Sequence, residues 1–173
     1  MTHMNSIATL LANAPTALMI GVGATLSLDA WNFLLARAFG VRSLDMCLLG
    51  RWVAYLPLGV FRHAGIAAAA PRPRECALGW AAHYAIGISL ALAFVLGVAP
   101  AWVARPTFVP ALAFGVATVV FPFFVLQPAL GLGVASAATR RPMQARIKSL
   151  ATHTVFGIAL YLGGRVAQWW VGA

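Results

Sequence analysis

Acidic side chains are almost absent from this chain. Only Asp29, Asp45 and Glu75 carry a carboxylate, and charged residues of either sign make up 9% of the 173 residues. Soluble domains carry about 25% charged residues, so this chain has too few of them to cover a water-facing surface. The scarcity also argues against an enzyme that works with a pair of carboxylates.

Cysteine is scarce as well, with Cys47 and Cys76 as its two occurrences. No C-x-x-C spacing is present to indicate a zinc or redox site. Both residues fall in a loop that the charge pattern below assigns to the cytoplasm, where thiols are kept reduced. We therefore expect two free thiols.

Apolar residues are correspondingly abundant. They make up 62% of the chain, and the mean hydropathy is +0.87. A helix needs about 20 apolar residues to cross about 30 Å of hydrocarbon. Four windows meet this requirement: 12–36, 77–98, 107–135 and 150–170. We predict an all-α fold, a polytopic bundle of four transmembrane helices in a single domain over residues 1–173.

A fifth apolar stretch, residues 44–60, is interrupted by Gly50, Arg51 and Pro57. It is too short and too charged to cross a bilayer. We predict that it forms a helix lying in the membrane interface, within the first cytoplasmic loop.

Positive charge is concentrated in two loops. The chain has 12 Lys and Arg residues and a formal net charge of +9. Ten of the 12 lie between the first and second or the third and fourth spans, which leaves Arg105 and Arg165 for the other side. The positive-inside rule then places both loops in the cytoplasm and both termini outside. Eleven of the 12 basic residues are Arg, which suggests a bacterial source and hence a bacterial inner membrane. Anionic lipids account for the basic excess, so we expect membrane lipids, and no nucleic acid, as partners.

Two of the predicted spans share a short pattern. His83 and His153 each begin the sequence His-x-x-x-Gly-Ile, at an offset of 70 residues. A duplicated helical hairpin would leave such an echo. Chance similarity between alanine-rich helices would explain it equally well.

One polar residue of each predicted span lies a few residues inside the cytoplasmic end: Asp29, His83, Gln127 and His153. We predict that they form an intramembrane polar cluster. Such a cluster can relay protons, because His titrates near neutrality. It can also serve only to hold the helices together by hydrogen bonds, which is the interpretation we favour. We predict no cofactor and no metal; the alternative is a haem or a transition metal held by His83 and His153, with Asp29.

A second set of candidates lies on the interfacial segment and just after it: Arg51, Trp52, Arg62 and His63. Cations beside aromatic rings at this level can contact a lipid phosphate or another ligand. The interpretation we favour is an ordinary amphipathic helix whose cations face the headgroups.

These motifs together resemble a family of small four-span bacterial inner-membrane proteins that is known only as a domain of unknown function. The matching segments run from about Gly21 to Gly157: Gly23–Thr25 with Asp29, Gly50–Trp52, Phe61–His63, Leu78–Trp80 with His83–Gly87, Pro122–Phe124 with Gln127–Pro128, and Ser149–Leu150 with His153. The resemblance implies a four-span membrane protein. It implies no activity, cofactor or catalytic residue.

We therefore expect a non-enzymatic membrane protein, either an accessory or assembly subunit or a small transport-type component. Four spans enclose little volume, so a homo-oligomer or a larger membrane complex is expected if anything is moved. The alternative is a metal- or haem-binding membrane redox protein that uses His83 and His153. A lipid-modifying enzyme using Arg51 and His63 would need an acid at the inner interface, where the sequence offers only Asp45.

Overall fold

The computed structural model describes residues 2–41, 43–98 and 101–172. Within these residues the chain is helical and contains no strand, which confirms the all-α fold class. The α-helices, in chain order, are α1 Thr2–Phe39, α2 Met46–Tyr55, α3 Glu75–Leu92, α4 Phe108–Ala117, α5 Gln127–Ala129 and α6 Pro142–Gly172. The shorter turns are π-helical over Ala93–Val98 and Pro122–Leu126, and 3-10 over Leu56–Leu58, Ile66–Ala68, Trp102–Ala104 and Val134–Ser136.

Among the described residues, three helical stretches are long and apolar enough to cross a membrane: Ala12–Phe39, Glu75–Val98 and Phe108–Ala129. They overlap the first three predicted spans. The fourth predicted span, 150–170, lies within α6, which is not one of the three because His153 and Arg165 lower its hydropathy. The segment predicted at the interface corresponds to a short apolar helix over Met46–Leu58.

The third apolar stretch is irregular, as its prolines predict. Pro122 opens a π-helical turn, because proline lacks an N–H and its ring clashes with the carbonyl four residues earlier. The helix ends at Ala129, not at Ala135 as the sequence predicted. Gly131 and Gly133 explain the earlier end, since their φ angles of 83° and 75° lie in the left-handed region that helices do not use.

The ends of α2 are determined locally. Asp45 is its N-cap, and the carboxylate accepts a hydrogen bond of 2.8 Å from the Cys47 N–H. This bond satisfies one of the donors that a helix start leaves unpaired. At the other end, a 3-10 turn begins at Leu56 with Pro57 as its second residue. Gly59 then takes a left-handed φ of 75°, a common helix terminator.

The described chain divides into two compact units, which are considered separately. Unit 1 contains the chain up to Trp31, Tyr84–Val116 and the chain from Thr154 onward. Unit 2 contains Asn32–His83 and Ala117–His153. The long helices α1, α3 and α6 therefore each contribute one part to each unit.

In unit 1, helices touch at glycines. A Cβ on Gly21 of α1 would lie 2.8 Å from the Ile88 Cα of α3, and one on Gly157 of α6 would lie 2.8 Å from the Leu112 Cα of α4. Such backbone contact is typical of helices in a bilayer, where lipid tails are as apolar as the side chains and packing must supply the attraction.

An apolar cluster fills the centre of unit 1. Phe94 is 1% exposed, and its ring centroid lies 4.9 Å from that of Trp102. Ile20 of α1 and both Phe156 and Leu160 of α6 belong to the same buried cluster. The part of α6 in unit 1 therefore shares one core with α1 and α3.

In unit 2, α2 and α3 cross at two glycines. A Cβ on Gly50 would overlap the Glu75 carbonyl, and a Cβ on Gly79 would overlap the Met46 carbonyl. Glycine permits this approach because it has no side chain.

Cys47 and Cys76 form a disulfide across this crossing, with their Cα atoms 3.8 Å apart. The expectation of two free thiols is therefore wrong, and the described part of the chain holds no free cysteine. The physical reason is the glycine contact, which brings the first turns of α2 and α3 together although the two cysteines are 29 positions apart. Residue spacing alone does not reveal such a contact.

Replacing Gly79 by Ala should destabilise the protein by about 1 to 3 kcal/mol, because the added methyl meets backbone that cannot rotate away. Gly23→Ala is the matched control, since a Cβ there meets nothing within 4 Å. The control should be neutral or slightly stabilising, by up to about 1 kcal/mol. Thermal unfolding in detergent, followed by circular dichroism, measures both. Equal stability of the two variants would contradict the close crossing.

Removing the disulfide with Cys47→Ser and Cys76→Ser should cost about 2 to 4 kcal/mol, because the bond restricts the unfolded chain. Dithiothreitol should lower the unfolding temperature of the oxidised parent and leave that of the double variant unchanged. Maleimide labelling of two thiols in purified protein that was never reduced would show that the bond does not form.

Candidate functional site

Asp29 of α1 is bonded to Tyr84 of α3, within unit 1. The Tyr84 hydroxyl donates to the Asp29 Oδ2 at 2.8 Å, and both side chains are half-buried. Carboxylates are costly in hydrocarbon and are found there facing a polar partner. Tyr84 is a site residue that the sequence did not indicate, although it directly follows His83.

His153 of α6 pairs with Thr118 in unit 2. The Thr118 Oγ1 and the His153 Nδ1 are 2.7 Å apart, and the imidazole tautomer decides which atom donates. Thr118 is 4% exposed, so this hydroxyl is held inside the protein. His83, also in unit 2, has its ring centroid 5.9 Å from that of Trp80.

Gln127 of α5 reaches α6. Its Nε2 donates to the Ser149 Oγ at 3.3 Å, and the residue is 8% exposed. The Gln127 Oε1 is buried and has no hydrogen-bond partner among the described residues. An unpaired buried oxygen is costly, so this end of the side chain is the less satisfied one.

The four residues predicted to form one polar cluster are divided between the two units. Asp29 belongs to unit 1, whereas His83, Gln127 and His153 belong to unit 2. A single centre built from all four stays a prediction. What the structure adds is a set of hydroxyl partners on other helical segments: Tyr84 for Asp29, Thr118 for His153 and Ser149 for Gln127.

This arrangement does not support the alternative hypothesis of a metal site. Across residues 2–41, 43–98 and 101–172, no three side chains of His, Cys, Asp or Glu are placed to hold one ion. Transition-metal sites in proteins commonly need three or more such ligands.

Arg51 of α2 forms a two-pronged ion pair with Glu75 of α3. Its Nε and Nη2 donate to the two carboxylate oxygens at 2.9 and 2.7 Å, and the side chains are only 11% and 13% exposed. Hydrogen bonding to Glu75 raises the pKa of the Arg51 guanidinium. Arg51 also donates to the Ala69 carbonyl at 2.9 Å. These contacts connect α2, α3 and the loop between them.

Two aromatic residues of α2 attach to the same loop. The Trp52 Nε1 donates to the Phe61 carbonyl at 3.0 Å, and the Tyr55 hydroxyl donates to the Ala70 carbonyl at 3.1 Å. The loop is therefore held along its length by side chains of α2. A lipid contact by Arg51 and Trp52 stays a prediction beside this structural role.

Arg62 and His63, the other two interfacial candidates, lie on that loop and line one cavity with the turn at Gly131 and Gly133. The His63 ring meets the Tyr55 ring edge-on, with centroids 4.9 Å apart. The sequence indicated Arg62 and His63, but not the turn that faces them, because the two segments are far apart in the chain.

Most of the chain matches one protein family. Residues 18–167 match the family described as Protein of unknown function (DUF2938). The chain belongs to this family. The resemblance to a domain of unknown function is thereby confirmed, and the family description carries no activity that could be transferred. No curated protein and no solved structure matches the chain.

Tyr84→Phe should destabilise the protein by about 0.6 kcal/mol, and by no more than about 1.7, as for other hydrogen bonds between membrane helices. Tyr161→Phe is the matched control, because the Tyr161 hydroxyl accepts its hydrogen bond from the exposed Arg165 side chain, at 3.1 Å. Unfolding in detergent should show coupling between Tyr84→Phe and Asp29→Asn in a double-mutant cycle. Strictly additive losses would contradict the bond.

Proposed function

We propose that this protein is a non-enzymatic accessory or assembly component of a bacterial inner-membrane complex. The observation that carries the proposal is the bond between Asp29 and Tyr84, which engages the lone acid of an apolar helix with a neighbouring helix. A carboxylate used in this way acts as a packing element.

The tight contacts of unit 1 favour this role over transport. Gly21 lies against Ile88 and Gly157 lies against Leu112 at distances that leave no space for a further atom. A transported ion or solute needs a path lined by polar groups, which would have to come from a second copy or another subunit. The favoured partner is therefore a larger membrane complex, with a homo-oligomer as the second candidate.

We propose four spans, with α6 as the fourth. Phe156 and Leu160 of α6 share a buried cluster with Ile20 and Phe94, which lie in two of the strongly apolar helices. A core shared with two strongly apolar helices supports a position within the membrane for this part of α6. At 1.5 Å per residue, the 31 residues of α6 also exceed the length needed for about 30 Å of hydrocarbon.

The short helix α2 is proposed to lie in the interface on the cytoplasmic side. The concentration of Lys and Arg in the two loops supports the cytoplasmic side. These residues determine the orientation of the chain while it is being inserted, before a disulfide can form. The disulfide between Cys47 and Cys76 favours the opposite side, since disulfides persist in oxidising compartments and are rare in the cytoplasm.

A two-part experiment tests the accessory role. Purified protein in liposomes should carry no proton or potassium current above that of protein-free vesicles, and Asp29→Asn should not change this. In mild detergent extracts of native membranes, the chain should migrate in a species larger than the purified protein. A current that Asp29→Asn abolishes, or identical migration of extracted and purified chains, would overturn the proposal.

A further inference from the structure

A cavity of about 400 Å³ lies in unit 2, where the loop after α2 meets the turn after α5. It is lined by Arg62, His63, Ala64, Gly131, Gly133 and Ala138. Its volume is within the range of small-molecule sites. The ion pair and disulfide described above lie outside this lining.

The walls of the cavity are held by backbone bonds. The His63 N–H donates to the Ala129 carbonyl at 2.9 Å, and the Ile66 N–H donates to the Leu130 carbonyl at 3.0 Å. Gly131 passes so close to Ala64 that an added Cβ would overlap the Ala64 carbonyl. The loop and the turn thus form a preformed pocket, which favours binding because little ordering remains to be done.

The lining offers cationic and imidazole donors. The Arg62 side chain is exposed, and the described residues give it no carboxylate partner. The Gly131 and Ala138 N–H groups are already bonded to the Pro128 and Leu132 carbonyls. The polar side chains of the lining are those of Arg62 and His63.

His63 has an unmet bonding requirement. Its Nε2 is buried and has no hydrogen-bond partner among the described residues. A buried imidazole nitrogen without a partner costs free energy, which a bound ligand would recover. A ligand can supply that partner once the imidazole rotates Nε2 toward the cavity that His63 lines.

The surroundings of the cavity carry an excess of positive charge. The Arg72 guanidinium lies over the Tyr55 ring, 4.6 Å from its centroid, and the His63 ring meets the same tyrosine. The acids of unit 2 are engaged elsewhere: Glu75 with Arg51, and Asp45 as the cap of α2. Glu75 also accepts from the Arg72 backbone N–H at 2.8 Å. Among the described residues, neither carboxylate forms a salt bridge with the guanidinium of Arg62 or Arg72.

We propose that this cavity binds a phosphate group, with Arg62 and His63 as its two side-chain donors. A guanidinium beside an imidazole suits the charge and the acceptor oxygens of phosphate. The source is either the headgroup of an anionic lipid or free inorganic phosphate. The pocket follows the end of an apolar helix at Ala129, where headgroups are expected. The site goes beyond the accessory role and does not depend on it.

Native mass spectrometry of the purified full chain tests the site. Delipidated protein in detergent is titrated with phosphatidylglycerol or phosphatidylcholine, and then with inorganic phosphate as a competitor. Phosphatidylglycerol should bind more tightly than phosphatidylcholine. Arg62→Gln should weaken its binding about tenfold or more, the loss expected for one hydrogen bond to a charged group. His63→Phe keeps the aromatic contact with Tyr55 and removes Nε2, so it should also weaken binding.

Arg105→Gln is the matched control, because Arg105 is exposed and belongs to unit 1. It should leave binding unchanged. Displacement of the lipid by inorganic phosphate would identify the phosphate itself as the recognised group, and resistance to it would identify the lipid as the occupant. Equal binding of the two lipids, or equal losses in Arg62→Gln and Arg105→Gln, would overturn the proposal. Neither result bears on the migration and current measurements that test the accessory role.

Discussion

A polar group inside hydrocarbon has no water to bond with, so its partner must come from the protein itself. In unit 1 this constraint applies to Asp29, and the Tyr84 hydroxyl meets it. The bond requires α1 and α3 to lie close together along this length. Gly21 allows that approach, because the backbone of α3 occupies the space that a side chain would need. Polar pairing and glycine packing therefore depend on each other.

The same relation governs unit 2. The glycine contact between α2 and α3 brings two cysteines into bonding distance and places Arg51 opposite Glu75. Glu75 is paired with Arg51 and Asp45 caps a helix, so the Arg62 guanidinium has no carboxylate partner among the described residues. The positive cavity is thus a consequence of how few acids the chain contains and where the fold uses them.

These contacts also explain why the polar residues of the apolar helices favour a structural role. Three of the residues singled out in the sequence bond to hydroxyl groups on other helical segments: Asp29, Gln127 and His153. Each such bond satisfies a group that would otherwise be unpaired in an apolar medium. A phosphate bound at the loop would add an anchor at the headgroup level, where the protein concentrates its cations.

Much of the architecture could be predicted from the sequence, because it depends on local properties. Helix length, mean hydropathy and the clustering of Arg need no knowledge of other segments. The interruption at Pro122 follows from the missing N–H of one residue. The end of the same helix was misplaced, because hydropathy continues past Ala129 and does not report the left-handed angles at Gly131 and Gly133.

Composition and charge by themselves determined that this chain is helical and suited to lipid. These two properties depend only on residue type and on neighbouring residues. The choice of partners was decided by tertiary structure alone. Asp29 bonds Tyr84 and Cys47 bonds Cys76 because particular helices cross at particular glycines. Such crossings depend on the shapes of surfaces that are distant in the chain, and those shapes exist only once the helices have packed.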